Sequence, residues 1–357
     1  MSTNPLINHK GLPQFDKISP AHVESAVQEL ENKVNSLIKY FDEYSETPTW
    51  EKIIKPLSQM DYDYQQIFSP VGHLMGVKNS PELRAEYEKV QPKIVNMFLA
   101  LDSNTKLFEL IKSLKGKNSA EKRLLELRLK SATRSGVGLK GKEKERFQEI
   151  AQKLSQISTK FTNNVLDATK AYEYIVTDKK ELDGLPPSYL EQASASYASH
   201  SKKPSSADKG PWRISLDVPS YMPVMKFALN RALREKLYKV RIGLASEGEF
   251  NNTDFIKEIL QLRQEKAKLL GFKTYAEYSI DAKMAPSVGE VYDFLHQIRK
   301  AALPHAKKEL IMLTDYAKQK GFIDDEIRNW DFTFVSEKFR EEKFGINEEE
   351  IKQYFQF

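Results

Sequence analysis

Cysteine is absent from all 357 residues. That excludes disulfides, cysteine nucleophiles and thiolate metal ligands, and it is compatible with a reducing cytoplasm. Apolar runs are short. None approaches the roughly 20 residues needed to cross a bilayer, so no membrane partner is expected. The amino terminus, MSTNPLINHKGLPQFD, has no basic start leading into an apolar core, and no signal peptide is expected there. Histidine is scarce, with His9, His22, His73, His200, His296 and His305 making up the whole set. No two of them lie four apart, so no helix turn presents a histidine pair to a metal. The nearest pair, His296 and His305, has Pro304 between its members. A GxSxG elbow and a P-loop are also missing.

What is present fits a soluble globular chain: 40% hydrophobic and 29% charged residues, with a net charge of +5. The charge is uneven. Twelve Lys/Arg face four Glu between Lys112 and Arg146, so the remainder is slightly acidic. Such an excess can attract nucleic acid or acidic peptides, but no aromatic residues interleave with it and no reader motif accompanies it. A solvated helical face is the expectation, and no nucleic-acid partner is expected.

Helical periodicity dominates. After an extended arm over Asn4–Asp16, Ser19-Pro20 gives a cap followed by proline at the first helical position. Val23, Ala26, Val27, Leu30, Val34, Leu37, Ile38 and Phe41 follow at helical spacing. A second helix is predicted from Thr49, a third from the Ser80-Pro81-Glu82 cap, and a fourth with Ser119 as its cap. His73 is placed in a glycine-flanked turn between the second and third. Gly136, Gly138 and Gly141 formally spell G-x-G-x-x-G. A leucine-rich helix precedes them where the dinucleotide fingerprint needs a strand, so they read as a helix-to-helix turn. A long helix over 142–170 carries Phe147, Ile150, Leu154, Ile157, Phe161 and Ala168 as a narrow seam. Period-two alternation at Tyr172–Val176 and again at Trp212–Val218 predicts a small β hairpin. Between them lie a short helix over Leu185–Ala198 and a mobile Ser/Lys loop, with His200 lacking an acidic neighbour. Further helices are predicted over Met225–Leu237 and Asp254–Leu270, the latter closed by Gly271. The last predicted helix starts at the Ser287/Glu290 capping box, is kinked by Pro304 and ends at Gly321.

Several stretches together resemble the thimet oligopeptidase family of zinc metallopeptidases, and its oligopeptidase A branch in particular. They are NPLINHKGLPQFDKISPAHVESAV, SGVGLKGKEKERFQEIAQKLSQISTKFTNNVLDAT, RALREKLYKVRIGLAS, LRQEKAKLLGFKTYAEYSIDAKMAPS and NWDFTFVSEKFREEKFGINEEEIKQYFQF. The resemblance implies a mainly α fold. A helical domain of long antiparallel helices is expected over 1–170 and a β-hairpin and loop insert over 171–220. The start of a metallopeptidase catalytic domain is expected over 221–357. In the complete family enzyme it implies a catalytic zinc, short unstructured peptides as substrates and a deep channel that excludes folded proteins. The family's HExxH helix and its third glutamate ligand have no counterpart among these residues. No catalytic, cofactor-binding or metal-ligating residue is therefore assigned. Three expectations stand open: the amino-terminal portion of a peptidase, inactive alone; one half of a split enzyme whose partner chain carries HExxH and docks at Tyr354–Phe357; or a non-catalytic helical module binding peptides or anions. A cytoplasmic setting is expected throughout.

Overall fold

Three-and-four spacing of apolar residues carries most of this chain into helix. The computed structural model describes residues 4–7, 11–346, 350–351 and 354–355, and among them are thirteen α-helices and two short strands. The chain divides into two compact units, residues 1–160 with 256–291, and residues 161–255 with 292–357.

In the first unit, α1 (Ala21–Asp42) buries Val23, Ala26, Val27, Leu30, Val34 and Phe41. It packs on α2 (Trp50–Val77) and α3 (Pro81–Asp102). Each such side chain taken fully from water contributes on the order of 1.5–3 kcal/mol before conformational entropy is counted. Ser80 caps α3 as expected, its hydroxyl accepting from the Leu83 N–H at 3.2 Å. The start of α1 differs from expectation. Pro20 occupies the cap position, and the Ser19 N–H donates to Nδ1 of His22 at 3.0 Å. His73 also differs, lying inside α2 rather than in a turn, with its ring 5.3 Å from that of Phe15. Burial of Ile67, Phe68, Val71 and Leu74 on one face carries the helix past Pro70, Gly72 and Gly76.

The short α4 (Thr105–Ser113) packs on α5 (Ser119–Arg134). Asn118, not Ser119, caps α5, its carboxamide oxygen accepting from Glu121 N–H at 2.9 Å. Asparagine caps as well as serine, and the preceding residue takes the role. The turn over 135–140 joins α5 to α6 (Gly141–Ala171), so the glycine triplet is helix-to-helix as expected. In α6, Phe147, Ile150 and Ile157 are buried.

The second unit holds β1 (Tyr174–Val176), α7 (Pro187–Ser201) and β2 (Trp212–Ile214). The strands pair antiparallel with Tyr174 opposite Ile214 and Val176 opposite Trp212. Gly184 is required where it stands: its φ is +91°, and a Cβ there would meet the Phe227 carbonyl oxygen at 2.4 Å. The connection into β2 was expected as a free loop. Here it is tied: Trp212 Nε1 donates to Ala207 O at 3.2 Å and Ser205 Oγ to Pro211 O at 2.6 Å.

The expected single helix over Met225–Leu237 is two, α8 (Val218–Phe227) and α9 (Arg231–Ile242). Asn230 breaks the run by capping α9, its side chain accepting from Leu233 N–H at 3.1 Å. Next come α10 (Thr253–Leu269) and α11 (Tyr275–Asp281), and Gly271 after α10 has the left-handed φ of a helix stop, +83°. Then α12 (Val288–Gln319) runs as one helix with Pro304 inside it, and Glu290 N–H donates to the Ser287 hydroxyl at 3.1 Å. Within the second unit α13 (Asn329–Phe344) packs on α8 and α9.

Candidate functional site

The described histidines lie apart from one another and each has its own local setting. His22 serves the start of α1. His200 ends α7 with its Nε2 3.3 Å from Glu173, so the expectation that it has no acidic neighbour is corrected: α7 packs on β2, and β2 pairs with β1, which Glu173 directly precedes. His296 and His305 lie on an exposed stretch of α12. His9 lies outside the described residues. Among the described residues no group of three His, Cys, Asp or Glu could hold a metal ion. The described residues do not fit a catalytic zinc, and no hydrolytic step is routed through a metal held by them.

The basic run of 112–146 is divided by folding into pairs. Arg123 meets Glu126 at 2.7 Å, Arg128 meets Asp61, and Lys130 reaches Asp281 at 3.2 Å. Arg146 makes a two-pronged contact with Glu265, at 2.7 and 2.9 Å. These pairs engage part of the excess, and being largely exposed each contributes little.

The most concentrated charge in the second unit is a buried junction of α9 and α13. Asp331 is fully buried and accepts from Arg231 (2.8 Å, with further contacts at 3.0 and 3.1 Å), from Arg234 (3.0 Å) and from the Arg328 N–H (3.1 Å). Arg234 is itself buried and spends its other donors on the carbonyls of Ala228 (2.6 Å), Leu229 and Trp330 (both 3.3 Å). Its guanidinium lies 4.1 Å from the centre of the Phe334 ring. Burial pushes the Asp331 carboxyl up. The hydrogen bonds from Arg231, Arg234 and the Arg328 amide outweigh that and hold it below the usual carboxylate range. The break between α8 and α9 has its use here, because Arg234 collects the carbonyls that the broken helix leaves free. Sequence reading passed over this junction. The signal was Arg231 and Arg234 one turn apart in RALR, with an aspartate in NWDF nearly a hundred residues on.

A second unusual group lies in the first unit. The Lys266 ammonium on α10 sits 5.2 Å from the Phe147 ring centre and 5.5 Å from that of Tyr278, over which the Arg134 guanidinium also lies, at 3.9 Å. Burial first, and then the charge of Arg134, pull its pKa below that of a free lysine. In the same unit a groove of about 570 Å³ opens between α1 and α2 over Leu37, Tyr40, Pro56 and Met60, with Lys33 and Asp63 paired at 2.8 Å on its wall. None of these places combines a nucleophile, a base and an electrophilic stabiliser.

With that geometry in view, comparison with known proteins places the chain in a family. The family model "Neurolysin/Thimet oligopeptidase, N-terminal domain" matches residues 21–144, and "Peptidase family M3" matches residues 224–357. The chain belongs to the oligopeptidase A/thimet oligopeptidase family. Probable cytosolic oligopeptidase A of Arabidopsis thaliana is 39% identical over 362 residues, covering 99% of this chain and 51% of its own length. Oligopeptidase A of Haemophilus influenzae is 38% identical and that of Escherichia coli 36%, each over 99% of this chain and 52% of its own length. The chain spans about half the length of the curated relatives it matches. The Asp331 junction falls within the span matched to peptidase family M3.

Proposed function

We propose that this chain is the amino-terminal portion of an oligopeptidase A-like zinc metalloendopeptidase, inactive by itself. The complete enzyme would hydrolyse short oligopeptides in the cytoplasm. The observation that carries the reading is the collinear match across 99% of the chain to oligopeptidases of about twice its length. On this reading residues 1–170 are the helical amino-terminal domain, 171–220 an insert, and 221–357 the opening helices of the metallopeptidase domain. Zinc ligands and general base come from residues outside this chain. Its own contribution is a rigid helical wall, with the Asp331 junction fixing α9 against α13.

The test is an assay of a quenched fluorescent peptide of about ten residues with stoichiometric zinc. The chain alone is expected to leave the peptide intact. The chain extended by the half of Haemophilus influenzae oligopeptidase A that lies outside the match is expected to cleave it, with loss of cleavage on chelation. Zinc-dependent cleavage by the chain alone would overturn the assignment of inactivity. A folded extended chain without activity would overturn the peptidase reading.

A further inference from the structure

The longest helix of the chain is covered along only part of its length. At its carboxyl end, Leu313 and Ala317 of α12 are buried in a small core with Ile323, Phe334 and Val335. Over 292–312 every residue of the helix is exposed. The sequence there is not that of a solvated helix. Phe294, Leu295, Ile298, Ala302 and Ala306 recur at three-and-four spacing, and the same rows lead on into Leu313 and Ala317. The face that is core at one end of α12 therefore continues as an open stripe for about four turns. Phe294 is 61% exposed, Leu295 52% and Ile298 48%, in a row where large apolar side chains normally mark an interface. Along its edges Arg299 and Lys308 are exposed, and no carboxylate stands among the residues between His296 and Lys308.

We infer that the stripe Phe294–Leu295–Ile298–Ala302–Ala306 is an interface, and that its occupant is the polypeptide making up the other half of the family enzyme. The inference rests on the reading given under Proposed function. It adds where that half seats, and what the seating face must be: an apolar surface that extends the Leu313–Phe334 core, rimmed by carboxylates facing Arg299 and Lys308. Two observations select this occupant. The stripe is continuous with an interface already formed inside the chain, and about half of each curated relative lies outside the matched region. The docking edge thereby moves from the terminal aromatics to α12.

The absence of cysteine makes the test direct, because one introduced thiol is the chain's own only one. Ile298→Cys places it on the stripe and Lys300→Cys on the opposite side of the helix, both at exposed positions whose change leaves the core alone. Thiol alkylation is followed by mass spectrometry of the α12 peptide, in the chain alone and in the chain extended by the unmatched half of Haemophilus influenzae oligopeptidase A. Labelling at 298 is expected to slow at least about tenfold in the extended chain, as for a residue moved from surface to core, with labelling at 300 slowed much less. Equal labelling at 298 in both forms would overturn the inference. So would protection at 298 that develops in the chain alone as its concentration rises, since a second copy would then be the occupant. The peptidase assay on the same samples separates the two readings. Activity with 298 still open sinks only the docking site, and protection without activity sinks only the peptidase reading.

Discussion

Replacing Asp331 with asparagine keeps the volume of the side chain and removes its charge. In the native junction that carboxylate is fully buried and satisfies Arg231, Arg234 and the Arg328 amide together. Asparagine has one acceptor oxygen where the carboxylate has two, and its amide group would point N–H donors at guanidinium donors. Arg234, itself buried, is left as an uncompensated charge in the interior. Breaking a buried pair in this way costs on the order of 3–5 kcal/mol. For a cooperative unit of ~150–250 residues each kcal/mol moves Tm by about 2–4 °C, so Tm should fall by about 6–20 °C. Urea unfolding followed by tryptophan fluorescence reads the effect, since Trp330 adjoins the substituted position.

The pH dependence gives an independent check. Asp331 has a folded pKa below its ordinary value. Its contribution is therefore complete above the unfolded carboxyl pKa of about 3.9 and is lost as pH falls through the folded pKa. The penalty of Asp331→Asn should be full at pH 7 and shrink below about pH 4. Arg231, more than a third exposed, should cost far less when changed to alanine, about 1 kcal/mol. The double change Asp331→Leu with Arg234→Met should recover much of the loss, because neither partner is then buried unpaired. A loss below about 1 kcal/mol for Asp331→Asn at pH 7, or the same loss at pH 3, would refute the account of the junction.

Lys266→Met should raise Tm by about 2 °C or more at pH 7. The folded pKa of this lysine is lowered, so the unfolded state binds more protons and native stability rises with pH up to the unfolded value near 10.5. The gain should accordingly fade in scans between pH 7 and 10.5, and a gain constant with pH would count against the burial explanation. Gln91→Leu should destabilise by about 1–3 kcal/mol in urea titrations. Its amide on α3 donates to Ser155 O, Ser155 Oγ and Thr159 Oγ1 of α6 at 3.1, 2.8 and 2.6 Å, and the leucine removes that donor from the two hydroxyl oxygens. Wild-type stability in that variant would show that water replaces the bridge.

The helices were legible in the amino-acid order, because their signals are local. Apolar spacing in α1, the serine cap of α3, the glycine stop after α10 and the alternation in β1 and β2 each depend on residues within a few turns of one another. Even the errors were local. Asn118 displaced Ser119 as a cap, and Asn230 split one expected helix in two. Family membership was legible for a related reason, since ordered blocks of sequence carry it without any reference to contacts. Tertiary structure alone decided what depends on distant partners. Asp331 was one acidic residue among fifty until folding set it between Arg231 and Arg234, nearly a hundred positions away. The amphipathic face of α12 was likewise visible as spacing, but spacing does not say which turns are covered. Only the packed chain shows Leu313 in a core and Ile298 in water. The physical reason is that a helix needs its neighbours in sequence to form, whereas burial and charge pairing are fixed by whatever the rest of the chain brings alongside.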